Sequence, residues 1–94
     1  MAMTIVAAYD VSNDNRRARL AALLQTCGDR IQLSVFVLSI DEGELDELRD
    51  RALAIMDPTE DSLYLLRQCA NCWEDARCLG QAIPPEPAYF WAAL

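Results

Sequence analysis

Histidine is absent from this 94-residue chain, and so is lysine. Without imidazole, any acid–base or metal chemistry must use carboxylates, tyrosine, cysteine or water. Cysteine–histidine pairs and H-E-x-x-H sites are excluded with it. Glycine is scarce, three residues in all, and neither a Gly-rich phosphate loop nor a G-x-S-x-G elbow is present. Most hydrolase and nucleotide-binding readings fall with these motifs. No basic segment followed by a long apolar core stands at the N-terminus, and no apolar run is long enough to span a bilayer. The expectation is a soluble cytoplasmic protein without membrane contact, its four cysteines reduced.

Positive charge is also scarce. Eight arginines face fifteen acidic residues, a formal net charge of -7, which argues against a protein that coats nucleic acid by charge alone. The imbalance is uneven along the chain. Up to Ile40 the arginines (Arg16, Arg17, Arg19, Arg30) slightly outnumber the acids, whereas from Asp41 onward acids dominate, mostly through Asp41, Glu42, Glu44, Asp46, Glu47 and Asp50. Arginine forks suit phosphate and carboxylate; a GC-rich coding sequence would produce the same preference for arginine over lysine.

What remains is a chain that is 53% hydrophobic, enough for one globular domain near the lower size limit for a single core. The apolar surplus in so small a domain points to a homo-oligomer. Met3 to Asp10, "MTIVAAYD", reads as a buried central strand. Ser12 is placed to cap a helix over 13–27, with Ala18, Leu20, Leu23, Leu24 and Cys27 at helical spacing and Gly28 at its C′ position. Arg30 to Ile40, "RIQLSVFVLSI", is strongly β-prone. It is either divided near Leu33-Ser34 by a bulge or kink, or is one long bent strand. Asp41 and Glu44 fit a capping box before a helix with the stripe Leu45, Leu48, Ala52 and Ile55. "DPTED" is a turn cluster, and Ser62 to Cys69 is a further strand. This order predicts an α+β layer with helices on one face of a small sheet. Residues 70–94 differ in kind; "ARCLGQAI" could be a short strand, and the apolar end "AYFWAAL" reads as a docking segment.

Asp10 lies at the C-terminal end of the first strand, where a carboxylate can serve a hard cation such as Mg²⁺. The alternative is an Asx turn or an ion pair with Arg16 or Arg17. A twofold dimer could bring two copies of Asp10 together. Arg16 and Arg19 share a face near a helix N-terminus, suited to phosphate oxygens; the alternative is a solvated face pairing with Asp14. Cys69, Cys72 and Cys78 follow C-x₂-C-x₅-C, read either as bystander thiols or as a structural or redox group.

Three segments in this order, "YDVSNDNRRARLAALL", "GDRIQLSVFVL" and "LRDRALAIMDPTEDSLYLLRQC", resemble the CRISPR-associated Cas-two (Cas2) family from about Met3 to Cys69. These are small partners of the Cas-one (Cas1) integrase in spacer acquisition. The resemblance implies a ferredoxin-like βαββαβ core over residues 1–69 and a homodimer. It also implies an additional C-terminal strand and docking tail within 70–94, packing on the partner. Asp10 and its twofold mate would flank a Mg²⁺ site as catalytic ligands. Tyr9, Ser34 and Phe36 match supporting motif positions, and Arg17, Arg19 and Arg30 match basic ones; Arg16 joins them as a candidate nucleic-acid contact. The implied function is a scaffold bridging Cas1 and prespacer DNA, with a metal-dependent endonuclease acting on RNA or DNA as the second reading. A ferredoxin-like interaction or toxin-type module outside CRISPR is the alternative class. Two positions depart from the family pattern: Val37 stands where a glutamate often follows "SVF", and Leu33 where an aromatic or basic residue is frequent. The family motif does not account for the cysteines.

Overall fold

The structure is a computed structural model that describes residues 2–80. Its elements are β1 (Met3–Asp10), α1 (Asp14–Gln25), β2 (Gly28–Gln32), β3 (Val35–Ile40), α2 (Glu42–Ile55), β4 (Ser62–Gln68) and α3 (Ala70–Glu74). The four strands form one sheet in the order β2-β3-β1-β4, with every neighbouring pair antiparallel. That is the ferredoxin-like βαββαβ arrangement.

Alternation in β1 decides which face is buried. Met3, Ile5, Ala7 and Tyr9 are buried, while Thr4, Val6 and Ala8 are half-buried and Asp10 is exposed. Successive strand residues point to opposite faces, so one sheet face takes the core and the other ends in the Asp10 carboxylate. Phe36, Leu38 and Ile40 of β3 join the buried set, and α1 and α2 close over it with Leu20, Ala21, Leu24, Leu48 and Ala52. Ile5, Leu20, Leu24, Phe36, Leu38 and Ile40 are the largest fully buried side chains, each worth about 1.5–3 kcal/mol relative to exposure.

The helix ends follow from local chemistry. The Asn13 side chain, not Ser12, accepts from the Arg16 amide at 2.9 Å and caps α1. At α2 the capping box is complete: Asp41 accepts from the Glu44 amide at 2.8 Å and Glu44 accepts from the Asp41 amide at 3.0 Å. Each device satisfies amides that the first helical turn leaves unpaired.

Gly28 has a different purpose from the helix C′ position expected of it. It opens β2, and a Cβ there would lie 2.0 Å from the Val37 carbonyl oxygen and 2.7 Å from Leu38 Cα. The position demands glycine because two backbones approach closely. The segment after it is two strands rather than one bent strand. β2 begins at Gly28, shifts register between Arg30 and Gln32, and turns at Leu33-Ser34 into β3. The strand thus starts two residues before Arg30, which supplies the length that "RIQLSVFVLSI" lacks.

After β4 the chain enters the short helix α3, and residues 76–79 have no regular structure. Of the C-terminal strand and docking tail expected within 70–94, residues 70–80 form no strand, and the remainder, 81–94, lies outside the described residues. Among the described residues no helix is long and apolar enough to cross a membrane.

Candidate functional site

Asp10 stands at the end of β1, opposite Ser62 of β4, and is exposed. Among the described residues it forms no ion pair with Arg16, Arg17 or any other basic group, so the salt-bridge alternative does not apply to it. It ends the sheet face opposite the core. There Val6 lies between Val37 and Leu66, and Ala8 between Val35 and Tyr64. Tyr64 and Leu66 remain 60% and 50% exposed. Val37, standing where the family pattern often has a glutamate, is buried in this apolar patch.

Tyr9, Ser34, Phe36 and Arg30 converge beside the strand end that carries Asp10. The Tyr9 amide donates to the Ser34 carbonyl at 3.0 Å, and its hydroxyl donates to the Leu33 carbonyl at 3.0 Å. One residue thus fixes the β2–β3 turn against the end of β1. The Tyr9 ring stacks on Phe36 with centroids 6.3 Å apart, and the Arg30 guanidinium lies 5.1 Å from the Phe36 centroid. Such a cation over an aromatic face is held by the ring quadrupole, which leaves the guanidinium edge available to a phosphate.

The arginine cluster separates into three roles. Arg16 donates through Nε to Asp61 at 2.7 Å and through a terminal nitrogen at 3.2 Å, and reaches Glu60 at 3.4 Å. Its fork thereby fastens α1 to the start of β4. Arg17 pairs with Asp14 and donates to the carbonyls of Val11 and Ser12 at 3.2 and 3.3 Å, pinning the loop that follows Asp10. Arg19 is exposed, and neither it nor Arg30 forms an ion pair among the described residues.

Asp61 is the residue that sequence reasoning missed. Its side chain is fully buried, and it accepts from the Asp57 amide at 2.8 Å besides holding Arg16. The Arg16 hydrogen bond, then that amide, hold its carboxyl below the usual carboxylate value, while desolvation opposes them. Asp61 in turn raises Arg16, and the Thr59 hydroxyl and amide hold Asp57 down. Within "DPTED" nothing distinguishes a buried acid from an exposed turn acid; its partner lies 45 residues away.

Among the described residues no three histidine, cysteine or carboxylate side chains gather as a metal cluster. Asp10 is an exposed carboxylate that no basic group engages among the described residues. Magnesium is commonly held by one or two carboxylates with water and phosphate completing its shell, so Asp10 suits the ion as a partial ligand set.

Fold and site together define a small ferredoxin-like α+β domain with a strand-end carboxylate and a partly exposed apolar sheet face opposite its core. The profile described as "CRISPR associated protein Cas2" matches residues 3–76. The chain belongs to the CRISPR-associated Cas2 family, which disfavours a module outside CRISPR. It is 48% identical over 58 residues to the CRISPR-associated endonuclease Cas2 2 of Thermus thermophilus, a match covering 62% of this chain and 64% of that protein. The chain therefore spans just under two thirds of that relative. It is 35% identical over 85 residues to the CRISPR-associated endoribonuclease Cas2 1 of Chloroflexus aurantiacus, covering 89% and 91% of the two chains. Among solved structures, a hypothetical protein from Thermus thermophilus superposes with a TM-score of 0.82 at 35% identity, covering 90% of this chain and 99% of that one. A chain of a partial Cas6-RT-Cas1–Cas2 complex shares the fold, with a TM-score of 0.74 at 23% identity over 89% and 90% of the two chains.

Proposed function

We propose that the chain acts in CRISPR adaptation in the cytoplasm as a homodimeric scaffold that bridges the Cas1 integrase and prespacer DNA during spacer acquisition. The observation that carries this reading is the apolar sheet face opposite the core, Val6, Ala8, Val35, Val37, Tyr64 and Leu66, with Tyr64 and Leu66 exposed and an Asp10 at its end that has no ion pair among the described residues. A twofold pairing of that face buries the exposed apolar side chains and brings two Asp10 carboxylates toward one axis. Arg19 and Arg30 supply phosphate contacts in a chain whose net charge of -7 prevents broad nucleic-acid binding. Family membership supports pairing with Cas1, and the solved complex containing Cas1 and Cas2 is consistent with it.

A second reading, endonuclease activity, is favoured by the same Asp10 and by the nuclease names of the relatives. Asp10 from each copy would hold Mg²⁺, which when bound lowers the pKa of a water for attack on a phosphodiester. Tyr9 and the Leu33-Ser34 turn would keep the strand end rigid, and Arg30 on Phe36 would hold the phosphate backbone.

The deciding experiment is cleavage of RNA and duplex DNA with and without Mg²⁺, comparing the wild type with Asp10→Ala, alongside sedimentation and Cas1 binding. The scaffold reading expects a dimer, Cas1 binding retained in Asp10→Ala, and no metal-dependent cutting. Cleavage abolished by Asp10→Ala establishes the nuclease; a monomeric chain that does not bind Cas1 overturns the scaffold.

A further inference from the structure

The end of β4 carries chemistry that nucleic-acid handling does not use. Cys69 and Cys72 are both exposed, and their sulfurs lie 2.9 Å apart. Cys69 leaves the strand and caps α3, and its sulfur accepts from the Cys72 amide at 3.2 Å. Cys69 also lines an open crevice with Met3, Thr4, Asp41, Glu42 and Arg67, so a small molecule can approach this exposed residue.

We propose that Cys69 and Cys72 form a surface dithiol that exchanges with low-molecular-weight disulfides, Cys69 attacking and Cys72 resolving. Two thiols in contact at one chain turn can close a disulfide with little movement of the backbone. The roles follow from the hydrogen bonds. The contact with the Cys72 sulfur and the hydrogen bond donated by the Cys72 amide hold Cys69 below the ordinary thiol value. The same sulfur contact holds Cys72 above it. A thiolate is the attacking species in exchange, so Cys69 is the nucleophile.

In the first step the Cys69 thiolate attacks one sulfur of the external disulfide. A mixed disulfide forms, and the other half leaves as a thiolate that takes a proton from solvent. In the second step Cys72 loses its proton to water and attacks the Cys69 sulfur, releasing the remaining half as a second thiol. Two protein thiols are oxidised to one disulfide, and the external disulfide is reduced to two thiols. The exchange is reversible, and its direction follows the surrounding thiol–disulfide poise. Placed where β4 hands over to the C-terminal segment, it makes the start of that segment sensitive to redox state.

The test uses the full chain equilibrated with oxidised glutathione, quenched by alkylation, and read by intact and peptide mass spectrometry. The expected result is loss of two hydrogens, located as a Cys69–Cys72 bond and reversed by dithiothreitol. Cys69→Ser keeps an oxygen at the helix cap, so the fold is preserved while exchange is lost. Cys72→Ser is expected to trap one glutathionyl group on Cys69. Limited alkylation at neutral pH should label Cys69 ahead of Cys72, and Cys27→Ser and Cys78→Ser should change nothing. The proposal is overturned by an unchanged mass, by a bond to Cys27 or Cys78, by an adduct on Cys72 instead of Cys69, or by stoichiometric zinc held on the native chain.

Discussion

Replacing Gly28 with alanine tests the close approach of β2 to β3 directly. The new methyl would meet three backbone atoms: the Val37 carbonyl oxygen at 2.0 Å, Leu38 Cα at 2.7 Å and the Val37 carbonyl carbon at 2.8 Å. None can yield as the tip of a flexible side chain could, so the strands must part. Overpacking of this kind typically costs about 1–3 kcal/mol. Parting the strands also weakens the ladder bonds around the Gly28–Leu38 and Asp29–Val37 pairs, at about 0.5–1.5 kcal/mol for each bond broken. The expected total is about 2–4 kcal/mol. For a domain of this size each kcal/mol lowers the melting midpoint by about 4–8 °C, so the loss is large enough to see by circular dichroism. Gly43→Ala is the control with the opposite sign. Its Cβ would meet only Asp41 Oδ1, at an ordinary 3.5 Å, inside the first turn of α2. There alanine gains about 0.5–1 kcal/mol over glycine. A Gly28→Ala protein melting within a degree of wild type, or both variants moving in the same direction, would refute the reasoning.

Asp61 gives stability a pH dependence. Its folded carboxyl is held below the unfolded value by Arg16, so its contribution is complete above about pH 3.9 and is lost as pH falls through the folded value. Urea midpoints across that acid range should fall more steeply for the wild type than for Asp61→Asn, which already lacks the charge; parallel curves count against the pair. Arg19→Ala and Arg30→Ala should weaken duplex DNA binding evenly across sequences. Each should reduce the slope of log affinity against log salt by about 0.9 for every phosphate the arginine neutralises, as read by fluorescence anisotropy at several salt concentrations. Arg16→Ala should instead lower the melting midpoint, because its fork holds Asp61 rather than nucleic acid; the reverse assignment of effects would undo the division of the cluster.

Local pattern carried a large part of this protein. The apolar run "MTIVAAYD", the Asp41–Glu44 box and the Leu48–Ala52 stripe each depend on residues within a turn or two, so strand, cap and buried helix face were readable in order. That order gave an α+β layer with the division of "RIQLSVFVLSI" left open, and the motif segments, through their resemblance to the Cas2 family, implied the ferredoxin-like class. Asp10 was legible as a strand-end carboxylate for the same reason. Tertiary structure decided what adjacency in sequence cannot encode. Gly28 looks like a helix stop until Val37 arrives beside it across the ladder. "NRRAR" looks like one basic cluster until Asp61 claims Arg16 and the Val11 and Ser12 carbonyls claim Arg17, leaving Arg19 and Arg30 as the candidates without ion pairs among the described residues. Hydrogen bonds and close approaches are satisfied by whichever groups folding brings together, here a carboxylate 45 residues away. The sequence could therefore name candidate groups, but only the packed sheet could say which of them were already engaged.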